Sequence, residues 1–289
     1  MSALFRRCLL AAGIVPAMLP ALAGAEFIYG VTNTQTLVTF NSNTPGSILS
    51  GVAISGLQSN ERLLGIDLRP QTGQLYALGS SSRLYTIDPI SGSASMVGGG
   101  AFANTLNGSS FGFDFNPTID RIRVVSDANQ NLVLHPDLGT STQVTDLFFN
   151  AGDLHNGKDP NVVGSAYSNN FKGSSSTQLF GVDSGLDILV KQANSAGTLD
   201  TVGSLGTDIS DVVGFDISGS TNIAYLSVMD VNLNRSTLWT VDLGTGAASM
   251  LGEIGGGTVI TSMTVVPAPG ALALAGVGML GIRRRRSSN

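Results

Sequence analysis

The chain has 289 residues: 42% are hydrophobic, 12% charged and 6% aromatic, with 37 glycines, one cysteine and two histidines. So many apolar side chains with so little charge exclude a disordered polypeptide. One cysteine excludes a disulfide framework, a thiolate zinc cluster and a CxxC redox pair. Two histidines leave little for a His-rich metal centre, and a net charge of −5 argues against nucleic acid as the partner.

Arg6 and Arg7 precede a twelve-residue apolar run, Cys8 to Leu19, and a small-residue stretch ending in Ala23-Gly24-Ala25. This order of basic start, short apolar run and A-x-A site predicts a secretory signal over residues 1–25, cut after Ala25 and delivered to the Sec translocon. The run is too short to span a bilayer and contains Pro16. Phe5 to Leu10 resembles a twin-arginine signal only loosely. Cys8 leaves with the signal, so the mature chain has no cysteine.

Four segments of the body start alike: Leu64-Gly65-Ile66-Asp67-Leu68, Phe111-Gly112-Phe113-Asp114-Phe115, Val163-Gly164-Ser165-Ala166-Tyr167 and Val213-Gly214-Phe215-Asp216-Ile217. Their glycines stand 47, 52 and 50 residues apart. Each start is followed by a second apolar run, beginning at Gln74, Arg121, Gln178 and Ile223, and then by a third, clearest at Leu84–Asp88 and Leu238–Asp242. A Gly-containing turn and a fourth short run complete each period. Four strands per period of about 50 residues is the arithmetic of a β-propeller blade.

Phe27–Val31, Thr36–Phe40 and Leu49–Ile54 match strands two, three and four of a blade that lacks its first strand. Ile260–Val265 matches that missing strand and closes the ring, which removes an exposed edge. The prediction is an all-β, five-bladed propeller over residues 26–266. Six blades is the alternative if residues 145–161 hide a degenerate unit. No window of the body shows a 3.6-residue apolar period, so helix is not expected.

The C-terminal segment, 267–289, reads as a sorting or anchor sequence. Val266-Pro267-Ala268-Pro269-Gly270 leads into an apolar run to Ile282 and then Arg283, Arg284, Arg285 and Arg286. The thirteen residues from Gly270 would reach about 20 Å as a helix, against a bilayer core of about 30 Å. The arginines hold the end on the cytoplasmic side. Pro motif, small-residue apolar run and arginine cluster together resemble the PEP-CTERM sorting signal of bacteria, with Ala268 where the usual motif has Glu. The resemblance implies a temporary anchor removed by an exosortase-type enzyme; the alternative is a permanent membrane anchor. With both ends set aside, the body carries nine basic against twenty acidic side chains, a net of −11. An acidic exterior suits solubility outside the cell, allows contact with divalent cations and repels anionic polymers.

The stretches Phe111-Gly112-Phe113-Asp114-Phe115-Asn116-Pro117, Asp120 to Asp127, Leu64 to Pro70 and Pro160 to Tyr167 resemble a bacterial domain family of unknown function. Its members are secreted, with propeller-like repeats that often precede a PEP-CTERM tail. The resemblance implies export and fold but no activity, substrate or cofactor.

Asp67, Asp114 and Asp216 share one register position on three innermost strands, while Ala166 and Thr264 interrupt the series. Two uses compete: convergence on the axis to hold Ca²⁺ through oxygen ligands, or acceptance of local hydrogen bonds that fix one blade against the next. Asp88, Asp242, Asn41, His135 and Gln192 sit where a strand enters a turn, which suits bonding to nearby backbone N–H groups. Asp153 and His155, in the polar stretch 150–160, are a candidate metal or acid–base pair against the alternative of a solvated loop. Asp120, Arg121, Arg123 and Asp127 are expected to form cross-strand ion pairs, with anion binding the alternative. No nucleophile elbow, phosphate-binding loop or Ser-His-Asp order is present, and Gly98–Gly100 and Gly255–Gly257 read as turn linkers. The expectation is an exported, non-catalytic propeller that binds an extracellular polysaccharide or surface protein. The alternative is a lactonase- or lyase-type enzyme built on an axial cation.

Overall fold

The computed structural model describes residues 24–193 and 196–266. Ala23 and the segment from Pro267 to Arg286 lie outside the described residues, as does nearly all of the predicted signal.

Every regular element among the described residues is a strand. The first blade holds β1 (Phe27–Thr32), β2 (Thr36–Asn41) and β3 (Thr44–Ala53). The second holds β4 (Leu63–Leu68), β5 (Leu75–Gly79), β6 (Arg83–Ile87) and β7 (Ala94–Val97). The third holds β8 (Phe111–Asn116), β9 (Arg121–Ser126), β10 (Asn131–Leu134) and β11 (Ser141–Gln143). After the two-residue β12 (Phe148–Phe149), the fourth holds β13 (Val162–Tyr167), β14 (Leu179–Asp183), β15 (Ile188–Gln192) and β16 (Thr198–Ser204). The fifth holds β17 (Val213–Ile217), β18 (Ala224–Asp230), β19 (Arg235–Val241) and β20 (Ala248–Glu253), and β21 (Ile260–Val266) returns to the first.

Each blade is an antiparallel meander, and β21 pairs with β1 in the register Ile28↔Val265 and Tyr29↔Thr264. The ring is therefore a five-bladed propeller closed by its C-terminal strand, as the repeat predicts. The stretch 145–161 forms no sixth blade: Phe148 and Phe149 lie parallel to β16 on the outer edge of the fourth. Innermost strands β21, β4, β8, β13 and β17 neighbour one another in that cyclic order.

Apolar side chains fill the five inter-blade spaces. Ile66, Leu75 and Tyr85 pack with Val31 and Leu37 between blades one and two, and Leu78 and Leu84 with Phe113 and Phe115 between two and three. Val125 joins Val162 and Leu199 between three and four. Phe180 and Leu189 meet Phe215 and Leu226 between four and five, and Tyr225 and Leu238 meet Ile28 and Phe40 between five and one. A second device closes the last gap. The buried Glu26 carboxylate accepts the hydroxyls of Ser218 at 2.5 Å and Ser220 at 2.7 Å, tying the head of the first blade to the β17–β18 turn.

The repeated glycines serve this packing. A Cβ on Gly112 would stand 2.6 Å from the backbone nitrogen of Ser165, and one on Gly65 would stand 2.5 Å from the Cβ of Phe113. At Gly65, Gly112 and Gly214 the innermost strand thus lies closer to the next one, a position further along, than a Cβ tolerates, while a Cβ on Gly164 would stand 3.1 Å from that of Phe215 and β21 carries Ser262 there. All of these pairings and cores lie within residues 26–266.

Candidate functional site

An innermost strand pairs on one side only, which leaves its other edge facing the axis with unpaired N–H groups. The three aspartates meet that need. Asp67 Oδ1 accepts Leu68 N at 2.7 Å and its Oδ2 accepts Phe115 N of the next blade at 2.8 Å. Asp114 Oδ1 accepts Tyr167 N at 3.0 Å. Asp216 Oδ1 accepts Ile217 N at 2.6 Å and its Oδ2 accepts Val265 N at 2.5 Å. Five N–H groups, one from each innermost strand, are satisfied by three carboxylates. The rule is that an Asp serves the following blade. Where Ala166 or Thr264 breaks the register, the next Asp also accepts its own neighbour's N–H.

The carboxyl groups are almost wholly buried, and their oxygens approach within 4.8 Å of one another; among the described residues this is the group with metal-ligating geometry. Burial, together with the charge of Asp216, pushes Asp67 well above the usual carboxylate range. Burial and then the charges of Asp67 and Asp216 do the same to Asp114. Burial raises Asp216 to about 6, against hydrogen bonds from Val265 and Thr264 that favour its charged form. Asp114 and Asp216 also share a side-chain hydrogen bond. Thr264 Oγ1 lies 2.9 Å from Asp67 Oδ1 and 3.0 Å from Asp216 Oδ2. A hydroxyl has one hydrogen to donate, so the second contact is completed by a carboxyl proton. For Ca²⁺, which takes six to eight oxygens, lone pairs already engaged by N–H groups are poor ligands.

Beyond these carboxylates the axis opens into a cavity of about 540 Å³ at the end where the innermost strands finish. Tyr29, Leu68, Pro70, Ile217 and Val265 form apolar wall, with Asp67 and Asp216 at the inner end. Arg69 stands at the side, held by Asp120 and, at 2.6 Å, by Asp137 Oδ1. Those hydrogen bonds raise its pKa further and hold Asp137 below the usual carboxylate range.

The loop between β13 and β14, residues 168–178, is the long member of its set. The equivalent turns are 69–74, 117–120 and 218–223. It brings Asn170, Phe171 and Lys172 to the cavity. Asn170 is 8% exposed and its Oδ1 has no hydrogen-bond partner among the described residues, whereas Phe171 is 48% exposed. Gly219 permits this placement, because a Cβ there would stand 2.0 Å from the Asn170 carbonyl.

The other sequence candidates lie elsewhere. Asp153 and His155 come together, 3.7 Å apart, but both bind Thr201 of β16: His155 Nδ1 at 2.9 Å, and Asp153 Oδ2 from Thr201 N at 2.6 Å. Burial pushes Asp153 up, yet the Thr201 and His155 N–H groups outweigh it and its pKa falls. The pair fastens the 150–160 loop to the outer edge of a blade. Asp88 and Asp242 each accept two turn N–H groups, and His135 Nδ1 accepts Asp137 N. Asp120 pairs with Arg69 of the neighbouring blade instead of with an arginine of its own strand. Arg123 is buried, bonding Asn131 Oδ1 at 2.8 Å, and Asp127 accepts Ser109 N and Ser110 N.

Residues 36–264, nearly the whole ring, match the model of a single protein family. The chain belongs to Domain of unknown function (DUF4394). Residues 265–287 match the PEP-CTERM protein-sorting motif, which implies export, sorting to the cell envelope and processing by exosortase-type machinery. This DUF4394 ring thus ends where its sorting motif begins. No helix among the described residues is long and apolar enough to cross a membrane.

No curated protein matches the chain. Among solved structures it is similar to Kuenenia stuttgartiensis hydrazine synthase, at 11% identity and TM-score 0.42, covering 69% of this chain and 51% of that one. It spans about half of that protein's length. A Lactobacillus plantarum protein shows 15% identity and TM-score 0.42, with 82% and 71% covered. A Bacteroides thetaiotaomicron protein of unknown function shows 14% and 0.48, with 79% and 59% covered.

Proposed function

We propose that this chain is an exported, non-catalytic propeller that binds a component of the cell-surface matrix at its axial mouth. The predicted signal, residues 1–25, takes the body (26–266) through the Sec translocon, and the 267–289 segment holds it at the envelope until processing. One observation carries the reading: β21 delivers Val265 and Val266 to the rim of the axial cavity, and the sorting motif starts at those same residues. The mouth and the envelope tether are therefore neighbours. The cavity also has the build of a ligand site, with apolar walls and few polar groups.

A lactonase- or lyase-type enzyme would need an axial cation with open coordination positions. The engagement of the Asp67, Asp114 and Asp216 oxygens by backbone N–H groups favours the binding reading. The test adds purified protein ending at Val266 to cells of the native host, with the surface matrix intact or stripped. Saturable binding to intact cells alone is expected. Equal binding to both, or turnover of a matrix component by the protein, would overturn the proposal.

A further inference from the structure

The wall of the mouth carries Asn170, whose side-chain acceptor has no partner among the described residues. Asn170 Oδ1 is buried and has no partner among the described residues, yet Asn170 lines an open cavity. A buried carbonyl oxygen without a donor costs about 1–3 kcal/mol, and of the five such buried side-chain atoms among the described residues this one belongs to a residue in the wall of the mouth. A ligand N–H or O–H reaching this oxygen would satisfy it. Beside it, Phe171 leaves nearly half its surface uncovered on the one long loop of its set, and Tyr29 stands half-buried in the wall.

The charges decide the class. The Arg69 guanidinium is taken on two sides by Asp120 and Asp137, so it offers no free fork to a carboxylate or phosphate. Asp67 and Asp216 at the inner end are committed to backbone N–H groups and are almost fully buried, so they do not present themselves to an ammonium. Lys172 is the exposed charge on the loop, against a body of net −11. An acidic polymer is repelled and a cation finds no open carboxylate. What remains is an uncharged ligand with hydroxyl donors along its rim and an apolar face for an aromatic ring. A pyranose has that pattern: C–H groups on its faces, hydroxyls around its edge. The cavity is closed inward by the carboxylate ring, so it admits a chain end and not a threaded strand.

We infer that the axial mouth binds the terminal unit of a neutral saccharide, with Asn170 Oδ1 accepting a sugar hydroxyl and Phe171 stacking on the ring face; this rests on the mouth being the binding site. The test presents the protein with arrays of neutral, uronic-acid, phosphorylated and amino-sugar oligosaccharides, followed by calorimetric titration of the best ligand. Asn170→Ala and Phe171→Ala are each expected to weaken a neutral ligand at least tenfold, with thermal midpoints within about 2 °C of the parent. Lys158→Ala, on the outer loop of the fourth blade, is expected to leave affinity unchanged. A charged oligosaccharide as the best ligand, lost in Lys172→Ala, overturns the neutral class but keeps the mouth. Saccharide binding indifferent to Asn170 and Phe171, or none on any array, overturns the inference, and saturable binding to native cells then decides the broader reading separately.

Discussion

Asp114→Asn exchanges a buried acid for an amide of the same shape on the axis. The amide oxygen can still accept Tyr167 N, and its NH₂ can donate to Asp216 where the acid donates a proton. Burial and the neighbouring charges of Asp67 and Asp216 raise the folded pKa of Asp114 well above its ordinary 3.8. The folded chain therefore holds a proton that the unfolded chain releases as the pH rises through 3.8. The stability this proton allows is complete below that value and declines as pH climbs toward the folded pKa. Each pH unit between the ordinary and the folded value costs the parent about 1.36 kcal/mol. Asparagine escapes that loss but leaves its second amide hydrogen without an evident acceptor, which costs about 1 kcal/mol. The variant is expected to be about 1 kcal/mol less stable than the parent at pH 4 and to overtake it as the pH rises, each kcal/mol moving the thermal midpoint by roughly 2–4 °C for a ring of this size. Urea melts of both proteins between pH 4 and 8, with and without Ca²⁺, measure it. Destabilisation by Asn at every pH, with a parent stabilised by Ca²⁺ and a variant indifferent to it, would refute the shared-proton account in favour of a cation site.

Gly112→Ala places a Cβ 2.6 Å from Ser165 N and is expected to cost about 1–3 kcal/mol, whereas Gly99→Ala, with nothing within 4 Å, should be neutral; chemical denaturation compares them. Glu26→Ala removes the acceptor of three hydroxyls that join the first blade to the fifth, with an expected loss of about 1–3 kcal/mol and faster hydrogen exchange along β1 and β21. Protein shed by the native host is expected to have an intact mass that lacks Arg283 to Arg286 and begins at Glu26. A mass that includes the arginines would support a permanent anchor instead.

Much of the fold was legible because its determinants are local and repeated. The Gly-x-Asp starts mark innermost strands, and Ile260–Val265 reads as the strand missing from the first blade. Spacing could bring Asp67, Asp114 and Asp216 to one level but could not tell which use they serve, because that depends on where the backbone N–H groups of Phe115, Tyr167 and Val265 point. Arg69 was not linked to Asp120 and Asp137, since its partners lie 51 and 68 residues away on another blade. Asn170 and Phe171 were missed for a different reason. Their loop is a Ser-, Asn- and Gly-rich stretch without a motif, and only the lengths of the equivalent turns single it out. The stronger polar signal in the sequence lies at Asp153 and His155, whose side chains are turned inward onto Thr201.

Hydrogen–deuterium exchange on the protein with and without the native host's neutral surface polysaccharide tests the central claim most directly. Protection is expected in peptides covering 168–173, 68–73 and the end of β21, with the outer strands β3, β7, β11, β16 and β20 unchanged. Protection confined to the outer strands, with the 168–173 loop exchanging as in the free protein, would contradict a ligand site at the axial mouth.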